Sequence, residues 1–171
     1  MKGVVGVLAL LAAGVAASGR AFPAEPVPQV AYWDNWTDQA GVSHLTRCML
    51  HSFSLHSVAK PAAPEWQDHQ AAPALAVQTN VEPPGWVGQW HENPKVQWIM
   101  PIAGSWFVQA MDGTSVTVGP GDVIVGEDQG TKPDAAGHKG HLARNPGPGP
   151  VSRMIVQMAE MPRVAGPCRF R

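Results

Sequence analysis

Imidazole is the only side chain that titrates near neutral pH without help from its surroundings, and this 171-residue chain carries seven of them. His91 falls in a strand-like run and His141 follows a glycine-rich loop. Each could act as a general acid or base, or as a metal ligand. Glu127 and Asp128 offer two adjacent carboxylates; either could partner His141, or both could be solvated turn residues. Asn93 and Gln97 carry amides, which need partners when buried and can orient a ligand. A few polar groups of this kind in an apolar setting are what a small-molecule site requires. His138 lies three residues before His141 and is either a third imidazole for that site or an exposed loop residue. His51 and His56, five apart, fit neither an i,i+4 helical pair nor one face of a strand.

The charge balance narrows the partners. Twelve Lys and Arg stand against thirteen Asp and Glu, for a formal charge of −1 and a pI near 6.6. Neither a nucleic-acid footprint nor a polybasic membrane surface is present. Charged residues make up only 15%, too few for a coiled coil. Nucleophile-elbow, Walker, dinucleotide-binding and His-Glu-x-x-His patterns are all missing from the sequence. Seven Trp accompany a single Tyr. Trp86, Trp90, Trp98 and Trp106 fall in or beside strand-like runs, either as core or dimer-interface residues or as stacking platforms for a sugar or planar ligand.

The elements that must position these groups read as strands. Eighteen Gly and seventeen Pro force frequent turns, which favours an all-β fold over a helical bundle. Strand-like runs cover 75–81, 87–92, 96–102, 105–110, 114–118, 123–125 and 151–158, separated by Gly- and Pro-rich breaks. Asp112-Gly113 is a hairpin signal because both residues tolerate positive φ. The stretch 126–150 reads as one long break, and its 145–150 portion, Asn-Pro-Gly-Pro-Gly-Pro, cannot join a ladder. Residues 22–73 show little sustained periodicity and read as an irregular N-terminal arm with short strands near 48–53 and 54–58 and a possible turn at 65–70. The pattern predicts an antiparallel sandwich or barrel.

The N-terminus reads as a leader. Lys2 precedes an apolar run over 4–17, and small residues at 16–18 precede a Pro-rich stretch. This is the pattern of a secretory signal over 1–21; the run is short of the roughly 20 residues that a spanning helix needs. The mature chain is therefore expected to be secreted or periplasmic, with no membrane contact after cleavage. Cys48 and Cys168 form no metal-type spacing. In an oxidising compartment they either pair or remain two thiols.

The segment 85–104 resembles the first motif of the cupin superfamily. Its spacing runs Gly85, His91, Asn93, Gln97, Gly104, with the intervals of that motif. Gly121-Asp122 resembles the start of the second motif, and His141 through Asn145 its end, with 129–140 as an insertion. One branch of small bacterial cupins is similar at Pro83-Pro84-Gly85-Trp86, Trp90-His91, Glu127-Asp128 and His138-Lys139-Gly140-His141, and upstream at Gly41-Val42-Ser43-His44. The resemblance implies a cupin-type antiparallel β-barrel (a double-stranded β-helix or jelly roll) over 74–161, a tail over 162–171, and a homodimer. It implies inward-facing positions for His91, Asn93, Gln97 and His141. Strand alternation then sets Trp98 opposite Gln97, and Trp90 opposite His91.

In cupins those inward positions hold a metal. Here a divalent transition metal would rest on His91, Gln97 and His141, with Asn and Gln standing where the motif has a second His and a Glu. Neutral amide oxygens are weaker donors than imidazole or carboxylate, so a metal-free pocket stands as the alternative. Either way, His91 and His141 are the candidate catalytic residues. Asn93, Gln97, Glu127 and Asp128 are candidate binding residues. The expected activity is that of an isomerase, lyase, decarboxylase or oxygenase on a small organic substrate; the alternative is a non-catalytic small-molecule or sugar-binding protein.

Overall fold

The computed structural model describes residues 26–59, 62–70, 73–164 and 166–171. The expected leader lies outside them. Among the described residues, eleven strands make up the regular structure. The first two, β1 (Val30–Thr37) and β2 (Ser43–Leu50), form a hairpin, and β3 (Ser54–His56) and β4 (Glu65–Gln67) a small separate ribbon. Then come β5 (Ala74–Glu82), β6 (Gln97–Ala103), β7 (Trp106–Ala110), β8 (Ser115–Val118), β9 (Ile124–Glu127), β10 (His141–Arg144) and β11 (Val151–Met158).

The large sheet has the order β2-β1-β9-β6-β11-β5, and the small one β10-β7-β8. Every pairing is antiparallel except β1 with β9, which is parallel. The two sheets share one core. Leu45, Ile99, Ile124, Val151 and Ile155 from the large sheet meet Trp106, Val108, Val118 and Ala143 from the small one. The chain is all-β, as its turn chemistry predicts.

Part of the irregular arm expected over 22–73 instead forms β1 and β2 within the large sheet, while β3 and β4 keep the short strands expected of it. The alternation of β1 is hidden in sequence because two of its fully buried positions are polar, Asp34 and Asn35. The run 87–92 contributes only single bridges, Val87 with Arg144 and His91 with His141. Those bridges extend the small sheet beyond β10, a strand that composition placed inside a loop. The possible turn at 65–70 begins as β4.

A second apolar layer covers the outer face of the large sheet. Tyr32, Val96, Val125 and Met158 pack there with Cys48 and Phe170 of the C-terminal tail. Trp98 stacks on Phe170 at 4.6 Å, so it does lie opposite Gln97. Cys48 and Cys168 form a disulfide across 120 residues. In the chain-entropy account, closing a loop of that size contributes about 4–5 kcal/mol.

The tail also seals in two carboxyl groups. Asp34 is fully buried and accepts a hydrogen bond from the Cys168 backbone N–H at 2.6 Å. Burial, then the nearby Glu127, push its carboxyl up to about 7. A carboxyl raised above its unfolded value adds stability that is fully present below that unfolded value, near 4. The contribution is lost as pH rises through about 7. Accordingly, Asp34→Asn should flatten the decline in melting temperature between pH 5 and pH 8 in calorimetry; an unchanged decline would assign it to other groups.

Candidate functional site

Asp128 organises the site. Its side chain is fully buried at the end of β9, where alternation turns it toward the space between the sheets. Oδ1 accepts hydrogen bonds from the Asn93 backbone N–H at 2.8 Å and the Asn93 amide at 2.7 Å. Oδ2 accepts from the Asn35 amide at 3.1 Å and faces Nδ1 of His141 at 2.7 Å. Burial raises the carboxyl, but His141 and the Asn93 donors outweigh it, leaving Asp128 below the usual carboxylate range. An ionised carboxylate only accepts, so Nδ1 of His141 carries the proton. When that ring is neutral, Nε2 is the bare nitrogen. No hydrogen bond among the described residues occupies it, and the ring lines a cavity.

His91 is held in a parallel way. Its Nδ1 donates to the Gln89 carbonyl at 2.7 Å, and its backbone pairs with that of His141. The two rings lie 4.6 Å apart between centroids. His141 is buried and His91 exposed at the mouth. Two glycines permit this approach. A Cβ on Gly126 would fall within 2.7 Å of the Asn93 amide, so glycine leaves Asn93 room to lie on β9. Gly140 has φ +71°, and a Cβ there would meet the His91 carbonyl oxygen at 2.2 Å.

The cavity beneath the two histidines measures about 690 Å³, within the usual range for small-ligand sites. His91, Asn93, Gln97 and His141 all line it. Gln97 donates to Asn93 Oδ1 at 2.7 Å and accepts from the Gln157 amide at 3.2 Å. A chain of amides thus runs from Gln157 to Asp128. Glu127 is elsewhere. Its neighbour Asp128 faces the site, so alternation sends Glu127 to the outer face, where Oε2 accepts from Arg169 at 2.7 Å and from the Arg163 backbone at 3.0 Å. Neither acid is a solvated turn residue. The expectation of Glu127 as a binding residue is corrected by that burial under the tail. His138 is not part of the cavity wall; it bonds Asp134 at 2.9 Å and stacks on Trp90 at 4.7 Å.

The donor set does not suit a divalent metal. Nδ1 of each ring is engaged, which leaves both Nε2 atoms without a partner among the described residues, but the third donor is weak. The Gln97 oxygen already accepts from Gln157, and the carboxylate of Asp128 is consumed by its hydrogen bonds. Among the described residues no group of three His, Cys, Asp or Glu is placed to hold a metal ion, so a metal would have to rest on the amide of Gln97 beside the two imidazoles.

Composition and motif spacing left several lining residues unnoticed. Arg153 and Glu82 form a buried ion pair in the cavity wall, and the Arg153 guanidinium sits 4.2 Å over the Trp106 ring. A usable signal existed on β11, where Val151, Arg153 and Ile155 share one face, placing a charge in a core stripe. Asn35 had no such signal, because its partner lies 93 residues away.

Comparison with known proteins finds no family model that matches this chain and no curated protein with significant similarity to it.

Removing the Asp128 carboxylate strands the groups bonded to it. Asp128→Ala should lower unfolding free energy by about 3–5 kcal/mol in urea titrations at pH 7. A loss below about 1 kcal/mol would mean that the carboxylate does not organise the site.

Proposed function

We propose that this chain moves a proton on a small organic substrate, as an isomerase or lyase does, with His141 as base and His91 as acid. The observation that carries this reading is the 2.7 Å contact of Asp128 with His141 Nδ1, which leaves Nε2 bare toward the cavity. A substrate with a C–H bond next to a carbonyl suits this pair. Nε2 of His141 takes the proton, and the C–H electrons become the new C=C bond as the carbonyl π electrons move onto oxygen. Protonated His91 delivers a proton from its Nε2 to that oxygen. Return of the proton from His141 to the same carbon, with the oxygen proton handed back to His91, epimerises that centre. Where that carbon bears a hydroxyl, His91 takes the hydroxyl proton as its C=O forms and His141 delivers its proton to the former carbonyl carbon, which completes an isomerisation and restores both imidazoles. Asp128 stabilises the imidazolium that forms on His141 without itself taking the proton. Asn93 and Gln97 hold the amide chain that fixes the floor.

Two sheets on a shared core, with 86–91 bridged to β10, also support the cupin-type jelly roll. The disulfide is compatible with an exported protein. Among the described residues no helix is long and apolar enough to cross a membrane.

The test is deuterium incorporation in D₂O, followed by proton NMR over a panel of aldoses, ketoses and hydroxyketones. The wild-type protein should exchange a proton of at least one compound, and His141→Gln should abolish that exchange. Asp128→Asn should slow it by about 10²–10⁴-fold. Binding without exchange would favour the non-catalytic reading.

Edge strand β5 supports the expected homodimer. Leu75, Val77 and Val81 on its outer side are each more than half exposed, next to the partly exposed Met154. Such a face invites a second copy. Light scattering should give twice the chain mass, and Val77→Glu with Val81→Glu should return the monomer; a wild-type monomer would remove this proposal.

A further inference from the structure

The polar part of the cavity wall, apart from the two histidines, is built from amides and one neutralised ion pair. Among the described lining residues, the only full charges outside the two imidazoles are Glu82 and Arg153, and they touch. Six lining side chains are amides: Gln78, Asn80, Gln89, Asn93, Gln97 and Gln157. We infer that this cavity takes an uncharged, polyhydroxylated molecule of mono- or disaccharide size, with Gln78, Asn80 and the Arg153–Glu82 pair selecting it. The inference rests on the preceding reading only for the place where the ligand sits.

Three features point to hydroxyl groups. An amide carries both donors and an acceptor, and a hydroxyl carries both as well, so the two can pair in either sense. Gln78 and Asn80 on β5 make no side-chain hydrogen bond among the described residues, although both line the cavity. Their capacity is open to a ligand. Arg153 is only 7% exposed, with its Nη2 on Glu82 and its Nε unpartnered. It therefore presents to the cavity a charge already matched by its neighbour.

That pairing works against charged ligands. A carboxylate approaching Arg153 would also meet Glu82, and an ammonium approaching Glu82 would meet Arg153. Either would give up its water without gaining net charge compensation. An uncharged polyol bears no such penalty. The cavity also has an apolar wall for the C–H face of a sugar ring. Trp86 lines it, its ring lying over Gly88, where a Cβ would meet the indole at 2.7 Å. Trp106 is not available for stacking, because Arg153 covers its ring.

The experiment is saturation-transfer NMR with tryptophan-fluorescence titration on the full chain. The probes are D-glucose, D-galactose and cellobiose, with D-glucuronate, D-galacturonate and D-glucosamine as charged counterparts. At least one neutral sugar should saturate, and its charged counterparts should bind about tenfold more weakly or worse. Gln78→Ala, on an exposed edge strand, should weaken the neutral sugar by about 2–10-fold. Arg153→Met leaves Glu82 unmatched, so it should narrow the gap between D-glucose and D-glucosamine and widen the gap between the neutral sugars and the uronates. The inference is overturned by uronates binding as tightly as their parent sugars, by the absence of saturable binding for every neutral sugar, or by an unaltered affinity in Gln78→Ala. The two readings fail separately: sugar binding without deuterium exchange would sink only the proton-transfer mechanism. Exchange on a hydroxyketone without sugar binding would sink only this ligand class.

Discussion

One buried carboxylate sets the architecture of the site. Asp128 ties the β1 side chain of Asn35, the loop residue Asn93 and the β10 side chain of His141 to a single point between the sheets. A lone charge in that position would be too costly to keep ionised. The set of donors around it makes the ionised form the favoured one, and that in turn selects the tautomer of His141. Fold and chemistry are coupled here. The contacts that compensate the buried charge are the same contacts that fix the His141 ring and leave its Nε2 without a partner among the described residues.

The residue pair Glu127-Asp128 shows how much a period of two decides. Adjacent in sequence and identical in charge, the two acids leave β9 on opposite faces. Asp128 meets amides and an imidazole. Glu127 meets Arg169 beneath the C-terminal tail, close to the raised carboxyl of Asp34. The disulfide at Cys168 holds that tail over them. The large sheet thus separates two acidic environments, one committed to a cavity and one sealed into a second core.

Much of the framework was legible from composition and turn chemistry. Gly and Pro breaks around short apolar runs marked β5, β6, β7, β8, β9 and β11 within a few positions, and in β6, β7 and β11 one face is buried in alternation. The motif resemblance over 85–104 made His91, Asn93 and Gln97 candidates, the second one over 141–145 added His141, and all four line one cavity. β1 escaped notice because its interior is polar, and β10 because it is four residues long inside a glycine-rich stretch.

By itself the sequence determined the strand-forming segments, the turns between them and the identity of the groups able to move a proton. Those follow from local preferences and from side-chain chemistry. Only the tertiary structure decided which acid serves His141, that Arg153 and Glu82 neutralise each other in the wall, and that Cys48 meets Cys168. Those are contacts between residues far apart in the chain, set by sheet order and by which face each strand turns inward. No local pattern encodes that sheet order.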